Sequence, residues 1–153
     1  MSTRSGWREF RERWGGTWGV RWDERNGSPR FVWVPGLESV WADDLAMELA
    51  ALAGVESAQL VPRGAVQAGS REILRWERQW QGAPVVGDEV ALVVVAGRIA
   101  GAWVRLTQLP RTLEVHPGEV VFALPEQGRG VPAVRQEQGH VVRYLGRDGR
   151  VLY

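Results

Sequence analysis

Apolar residues first recur at helical spacing, at Trp7, Phe10 and Trp14, with Arg8, Glu9, Arg11, Glu12 and Arg13 between them. That pattern predicts a short helix with one buried face, Ser5 as its N-cap and Gly15-Gly16 as its stop. The period then changes to two. Trp18, Val20 and Trp22 alternate before Asn26-Gly27, and Phe31 and Trp33 follow. An Asn-Gly pair between alternating runs predicts a hairpin with a two-residue type I′ turn. Pairing about that tip sets Trp22 opposite Phe31 and Val20 opposite Trp33. It also sets Pro29 opposite Glu24, where a missing N–H does no harm.

After Pro35-Gly36 the helical period returns. Ser39 predicts a cap, Asp43 and Asp44 sit in the first turn near the positive end of the dipole, and Gly54 closes the segment. Trp41, Leu45, Leu49 and Leu52 form the predicted buried stripe. Residues Val61 to Gly69, broken by Pro62 and Gly64, read as an irregular linker. From Arg71 to Leu106 the pattern is that of a β-meander. Leu74, Trp76 and Trp80 share one face of its first strand, and Gln81-Gly82-Ala83-Pro84 is a turn. Glu89 to Val95 is a nearly continuous apolar run, as a central strand covered on both faces requires. Ala96-Gly97 then leads into Arg98–Leu106, with Trp103 and Arg105 on one side and Val104 on the other.

Leu109 to Pro132 is rich in Pro, Gly and Glu, and a last hairpin is expected to turn at Asp148-Gly149, pairing Leu145 with Leu152 and Tyr144 with Tyr153. The chain stops in the middle of that strand, which suggests a continuation. The expected class is α+β: an antiparallel β-meander packed on a helix, with an N-terminal helix and β-hairpin. One domain over 1–153 is expected, made of helix plus hairpin (1–36), helix plus meander (37–108) and a tail (109–153).

Composition narrows the function. Nineteen basic residues against eighteen acidic ones give a net charge of +1, too balanced for a typical nucleic-acid binder. Every basic residue is Arg. There is no Cys, hence neither a disulfide nor a thiolate metal site, and no apolar run reaches the ~18 residues of a membrane span. The opening residues, Met1 to Trp7, hold no apolar signal core. Nine Trp are the one unusual count, a large rigid resource for cores or interfaces.

Reactive constellations fail on spacing. His116 precedes Pro117-Gly118 and His140 follows Gly139; both suit turns or strand starts, and no HExxH or other zinc pattern occurs. No serine lies in G-x-S-x-G. Asp43 and Asp44 do not share a helix face, and Asp88 and Glu89 alternate sides of a strand, which defeats shared acid–base work. The chain reads as a binder without catalytic residues.

One segment resembles a known family. Leu74 to Leu106 carries an aromatic strand end, then x-G-x-P-V-x-G, then an acidic residue, a hydrophobic strand and a Gly-Arg step: Trp80, Gly82, Pro84, Val85, Gly87, Glu89 and Gly97-Arg98. It looks like the core of the fungalysin/thermolysin propeptide (FTP) domain. GTWGVRWDERNGSPR, with Trp22-Asp23 and the Gly27-x-Pro29-Arg30 pattern, resembles the hairpin ahead of that core in bacterial secreted members, and the stretch from Pro132 is similar to PepSY repeats. Gly82 suits φ > 0, Pro84 holds Ala83 extended, and Gly87 permits a bulge or a close backbone approach.

The resemblance implies a cystatin-like or propeptide-like fold without a cofactor. It implies a pro-region that inhibits a secreted metallopeptidase and assists its folding, with the peptidase in cis or in trans. The alternative is a cell-surface or periplasmic protein-binding module. Either implies a secreted or surface location, and partner contact is expected at Gln79, Trp80, Gln81 and Pro84. A small-ligand pocket between sheet and helix is a further alternative.

Overall fold

The computed structural model describes residues 3–24, 27–124 and 127–153, with side chains from Gly6 onward. Helix α1 (Thr3–Trp14) buries Trp7 and Phe10. It starts two residues before Ser5, so Ser5 lies inside the helix and is not its cap. Strands β1 (Gly19–Trp22) and β2 (Pro29–Glu38) follow, then α2 (Ala42–Leu52), β3 (Leu60–Ala68), β4 (Arg71–Trp80), β5 (Ala83–Val95) and β6 (Arg98–Arg105). Last come β7 (Val120–Leu124), β8 (Arg129–Gln138) and β9 (Val141–Gly146). The architecture is mixed α+β, mostly sheet with two helices. Among the described residues, no helix is long and apolar enough to cross a membrane.

A six-stranded antiparallel sheet runs β1-β2-β6-β5-β4-β3. Both helices cover one face of it. Phe10, Leu45 and Leu49 meet Val32, Val90, Leu92 and Ile99, all fully buried. Burying each such side chain contributes roughly 1.5–3 kcal/mol, so this layer dominates the stability. Several of the tryptophans plug its end: Phe10 stacks on Trp7 at 5.1 Å and meets Trp18 edge-on at 5.0 Å, and Trp14 meets Trp41 at 6.2 Å.

The start of β5 also pairs, in parallel, with β7, and β8 and β9 extend that second sheet. A small core of Val85, Val121 and Ala123, with Trp80, Leu109, Leu113 and Val115 against it, fills this lobe.

Several expectations need correction. The β1–β2 register is one residue off: Val20 opposes Val32, Arg21 opposes Phe31, and Trp22 opposes Pro29 across a bulge. The loop is closed by the Asp23 N–H donating to Ser28 O and the Gly27 N–H donating to Asp23 O, so it is longer than a two-residue turn. Arg25 and Asn26 lie outside the described residues. A one-residue slip reverses faces. Val20 and Trp22 therefore point inward with Val32, while Phe31 and Trp33 point out.

Ser39 opens a single 3-10 turn and α2 begins at Ala42, without a side-chain cap; Trp41 is 48% exposed instead of buried. The supposed linker Val61–Gly69 is mostly strand β3. It is an edge strand with a bulge between Pro62 and Ala65, and an edge tolerates proline. The turn expected over Gln81–Pro84 tightens to Gln81-Gly82, and the tail holds three strands. Its main hairpin turns at Gly139-His140, and past β9 Leu145 bridges Val151, one residue from the expected pairing.

Glu119 staples the tail. Arg147 donates to both its oxygens, at 2.7 and 2.9 Å, and the His116 backbone N–H donates at 2.7 Å. These donors, Arg147 first, lower its carboxyl from an ordinary 4.5 to about 2. A depressed acid contributes stability above its unfolded value and loses it as pH falls through its folded value. Thermal unfolding of wild type against Glu119→Gln should therefore show a gap above pH 4.5 that closes as pH approaches about 2. A gap that does not change with pH would contradict the staple.

Candidate binding site

The Trp80–Glu89 motif forms the joint between the two sheets. Gln81 and Gly82 take φ of 51° and 81°, both left-handed, which closes a two-residue turn between Trp80 and Ala83. Pairing is regular at Trp80–Ala83 and Gln79–Pro84, then resumes at Glu77–Glu89. Between them Arg78 alone faces the stretch Val85–Asp88. That surplus carries Val85 and Val86 away to β7. Gly87, at φ 99°, brings the chain back, and a Cβ there would stand 3.5 Å from that of Ala123.

Behind the bulge sits a buried polar node. Arg78 and Asp88 are 3% and 4% exposed. Arg78 Nη1 donates to Asp88 Oδ2 at 2.9 Å and to Thr107 O at 2.6 Å, and Nε donates to Gln59 Oε1 at 2.9 Å. Asp88 also accepts the Thr107 N–H at 2.8 Å and its hydroxyl at 2.7 Å. Burial pushes the Asp88 carboxyl above its ordinary 3.8, while Thr107 and Arg78 pull it back. As the alternation required, Asp88 points in and Glu89 points out, bonded to Arg75 at 3.0 Å.

A cavity of about 670 Å³ opens over this node, lined in part by Gln59, Arg78, Trp80, Gln81, Thr107 and Arg111. Its inner groups are already partnered. The Trp80 indole N–H donates to Leu113 O at 3.0 Å, and so does the Gln81 amide, whose oxygen accepts from the Val115 N–H at 3.4 Å. Trp80 and Gln81 thus anchor the β6–β7 connection. Pro84 faces a separate cleft of about 440 Å³ beside Arg75, Glu89, Arg105, Arg135 and Tyr144. The four expected contact residues are therefore not brought together: Trp80 and Gln81 line one cavity, Pro84 lines the other, and Gln79 lines neither. Among the described residues, no three His, Cys, Asp or Glu side chains gather as metal ligands.

Two features escaped the sequence reading. Arg78 shares its strand parity with Leu74, Trp76 and Trp80, and an arginine on an otherwise apolar inward face was the available signal. The second is an outward aromatic cluster. Phe31 lies 4.7 Å from Trp33 and 5.3 Å from Trp103, ring to ring, and Trp33 and Trp103 stay 50% and 41% exposed. Glycines make room for these rings: a Cβ on Gly101 would be 3.1 Å from Phe31, and one on Gly19 3.1 Å from Trp33.

No family model matches the chain, and no curated protein matches it either. Among solved structures it is similar to the Bacillus megaterium YpeB C-terminal domain, at 11% identity and a TM-score of 0.40, over 97% of this chain and 94% of that one. A likeness of that size says nothing about activity or partner.

Removing one member of a buried ion pair strands the other, at a cost of about 3–5 kcal/mol. Asp88→Ala should lose that much in urea unfolding, and the double variant Arg78→Leu/Asp88→Leu should lose less. A loss below about 1 kcal/mol for Asp88→Ala would mean that the pair is not a buried ion pair.

Proposed function

We propose that this chain is a non-catalytic binding domain of an exported protein, a propeptide-like unit that covers a metallopeptidase and assists its folding. The observation that carries the binding part is the outward pair Trp33 and Trp103, half exposed on the sheet face opposite the helices. Exposed aromatic patches on a sheet face mark contact surfaces more often than chance exposure does. The propeptide part rests on the resemblance of Trp80–Glu89 to the FTP core, and the packing of an antiparallel sheet on two helices is compatible with it. Absence of catalysis is supported by the Arg78–Asp88–Thr107 node, whose charged groups are spent on one another.

A second reading, a surface assembly module, is favoured by one observation. Among the described residues strand β3 pairs with β4 alone and leaves a nine-residue edge, almost all exposed, on which another strand can add. An HExxH-bearing domain in the same gene favours the first reading, and its absence the second.

The test is co-expression with the metallopeptidase domain encoded in the same gene or beside it. The chain should raise the yield of active peptidase, co-elute with it and slow its hydrolysis of a peptide substrate until the chain is cleaved. No complex on gel filtration and unchanged turnover would overturn the propeptide role.

A further inference from the structure

The outward face of the six-stranded sheet is apolar across most of its width. Register places Trp33, Gly101, Val93, Ile73 and Val66 in one row across five strands. The next row holds Arg21, Phe31, Trp103, Ala91 and Arg75. Gly101, Val93 and Ala91 are buried within these rows, so the exposed apolar surface is the Trp33–Trp103 pair, and Val66, 51% exposed, stands apart on β3. The helices pack on the other side, so none of their residues covers these rows.

The charges around the patch are uneven. Glu77 and Glu89, on this face, are bonded to Arg63 and Arg75 at 2.9 and 3.0 Å. Arg21 and Arg105 are exposed, and among the described residues neither meets a carboxylate. Arg75 and Arg105 also line the cleft between the sheets, together with Glu77, Glu89 and Arg135, the last bonded to Glu137 at 2.9 Å, which leaves Arg21 and Arg105 as the cations of this surface without an ion pair among the described residues. Rings and arginines thus form one surface with positive charge to spare.

We propose that this surface, from Trp33 through Arg105 to the cleft beside Arg135, binds an acidic protein segment. Its apolar residues lie on Trp33, Phe31 and Trp103, and its carboxylates meet Arg21 and Arg105. Arg suits this task because its planar fork both stacks on rings and holds a carboxylate bidentately. A second copy is the poorer occupant, since it would bring Arg21 and Arg105 with no free carboxylate of the same face to receive them. Nucleic acid is also poorer, because Glu77 and Glu89 stand on the face and the whole chain carries only +1. The proposal rests on the reading of the chain as a protein-binding domain, and names the surface and the partner's chemistry.

Labelled twelve-residue peptides test it by fluorescence anisotropy: a Leu/Phe centre flanked by Asp and Glu, the same centre flanked by Lys, and an oligo-dT of equal length. The wild-type chain should bind the acidic peptide about tenfold tighter than the basic one. Trp33→Ala/Trp103→Ala should weaken that binding about tenfold, and Arg21→Glu/Arg105→Glu should reverse the preference. Circular dichroism checks that each variant folds; if the Trp variant does not, the wild-type preference and the charge reversal decide.

Equal affinity for both peptides, no binding of either at ~1 mM, or competition by oligo-dT overturns the proposal. So does a wild-type dimer in sedimentation. Peptidase inhibition undiminished by the Trp variant would remove this face and leave the propeptide reading standing; peptide binding without inhibition would do the reverse.

Discussion

One strand serves two sheets, and the buried Arg78–Asp88 pair is what lets it. From Val90 to Val94, β5 is the covered centre of the large sheet. At its start the same strand lies beside β7. The switch needs three more residues on β5 than on β4, and those residues would leave a polar gap behind the bulge. Asp88 fills it, taking donors from Arg78 and Thr107. Thr107 starts the connection to the second lobe, so the bulge, the connection and the lobe are fixed by one cluster.

Such a pair is a poor source of net stability, because two charges must lose their water. Its contribution is positional. Arg78 has a partner only if β5 bulges where it does, and Gln81 then holds Leu113 and Val115 from the turn beyond. Buried bonds thereby set the shape of the body and leave its outward surface free for contact. Helices close one face of the large sheet; the other keeps its rings and arginines in water.

Much of the fold was legible wherever local signals agree. The α1 stripe, the α2 acidic first turn, the central run of β5 and the Ala96-Gly97 turn follow from period and turn chemistry. The β1–β2 register was not legible, since Asn26-Gly27 suggests a two-residue turn while the bonds at Asp23 and Ser28 close a longer loop. That slip turns Phe31 and Trp33 outward. β3 was hidden by Pro62 and Gly64, which an edge strand tolerates and a central one does not. The short β7 and the Pro132 within β8 concealed the second sheet; β8 lies between β7 and β9, but its pairing with β9 starts only at Ala133, so at Pro132 it has β7 on one side alone. For the site, Gly82 and Gly87 were read correctly as backbone devices, but the partner of Arg78 depends on a bulge that no local pattern encodes.

Native-state hydrogen exchange on the wild-type chain and Asp88→Ala tests the joint most directly. If the pair holds the two sheets together, Asp88→Ala should lose protection at Val85, Val86 and along β7 and β8, while Val90 to Val94 keep theirs. Uniform loss over both sheets, or an unchanged pattern, would contradict a localised joint and the account built on it.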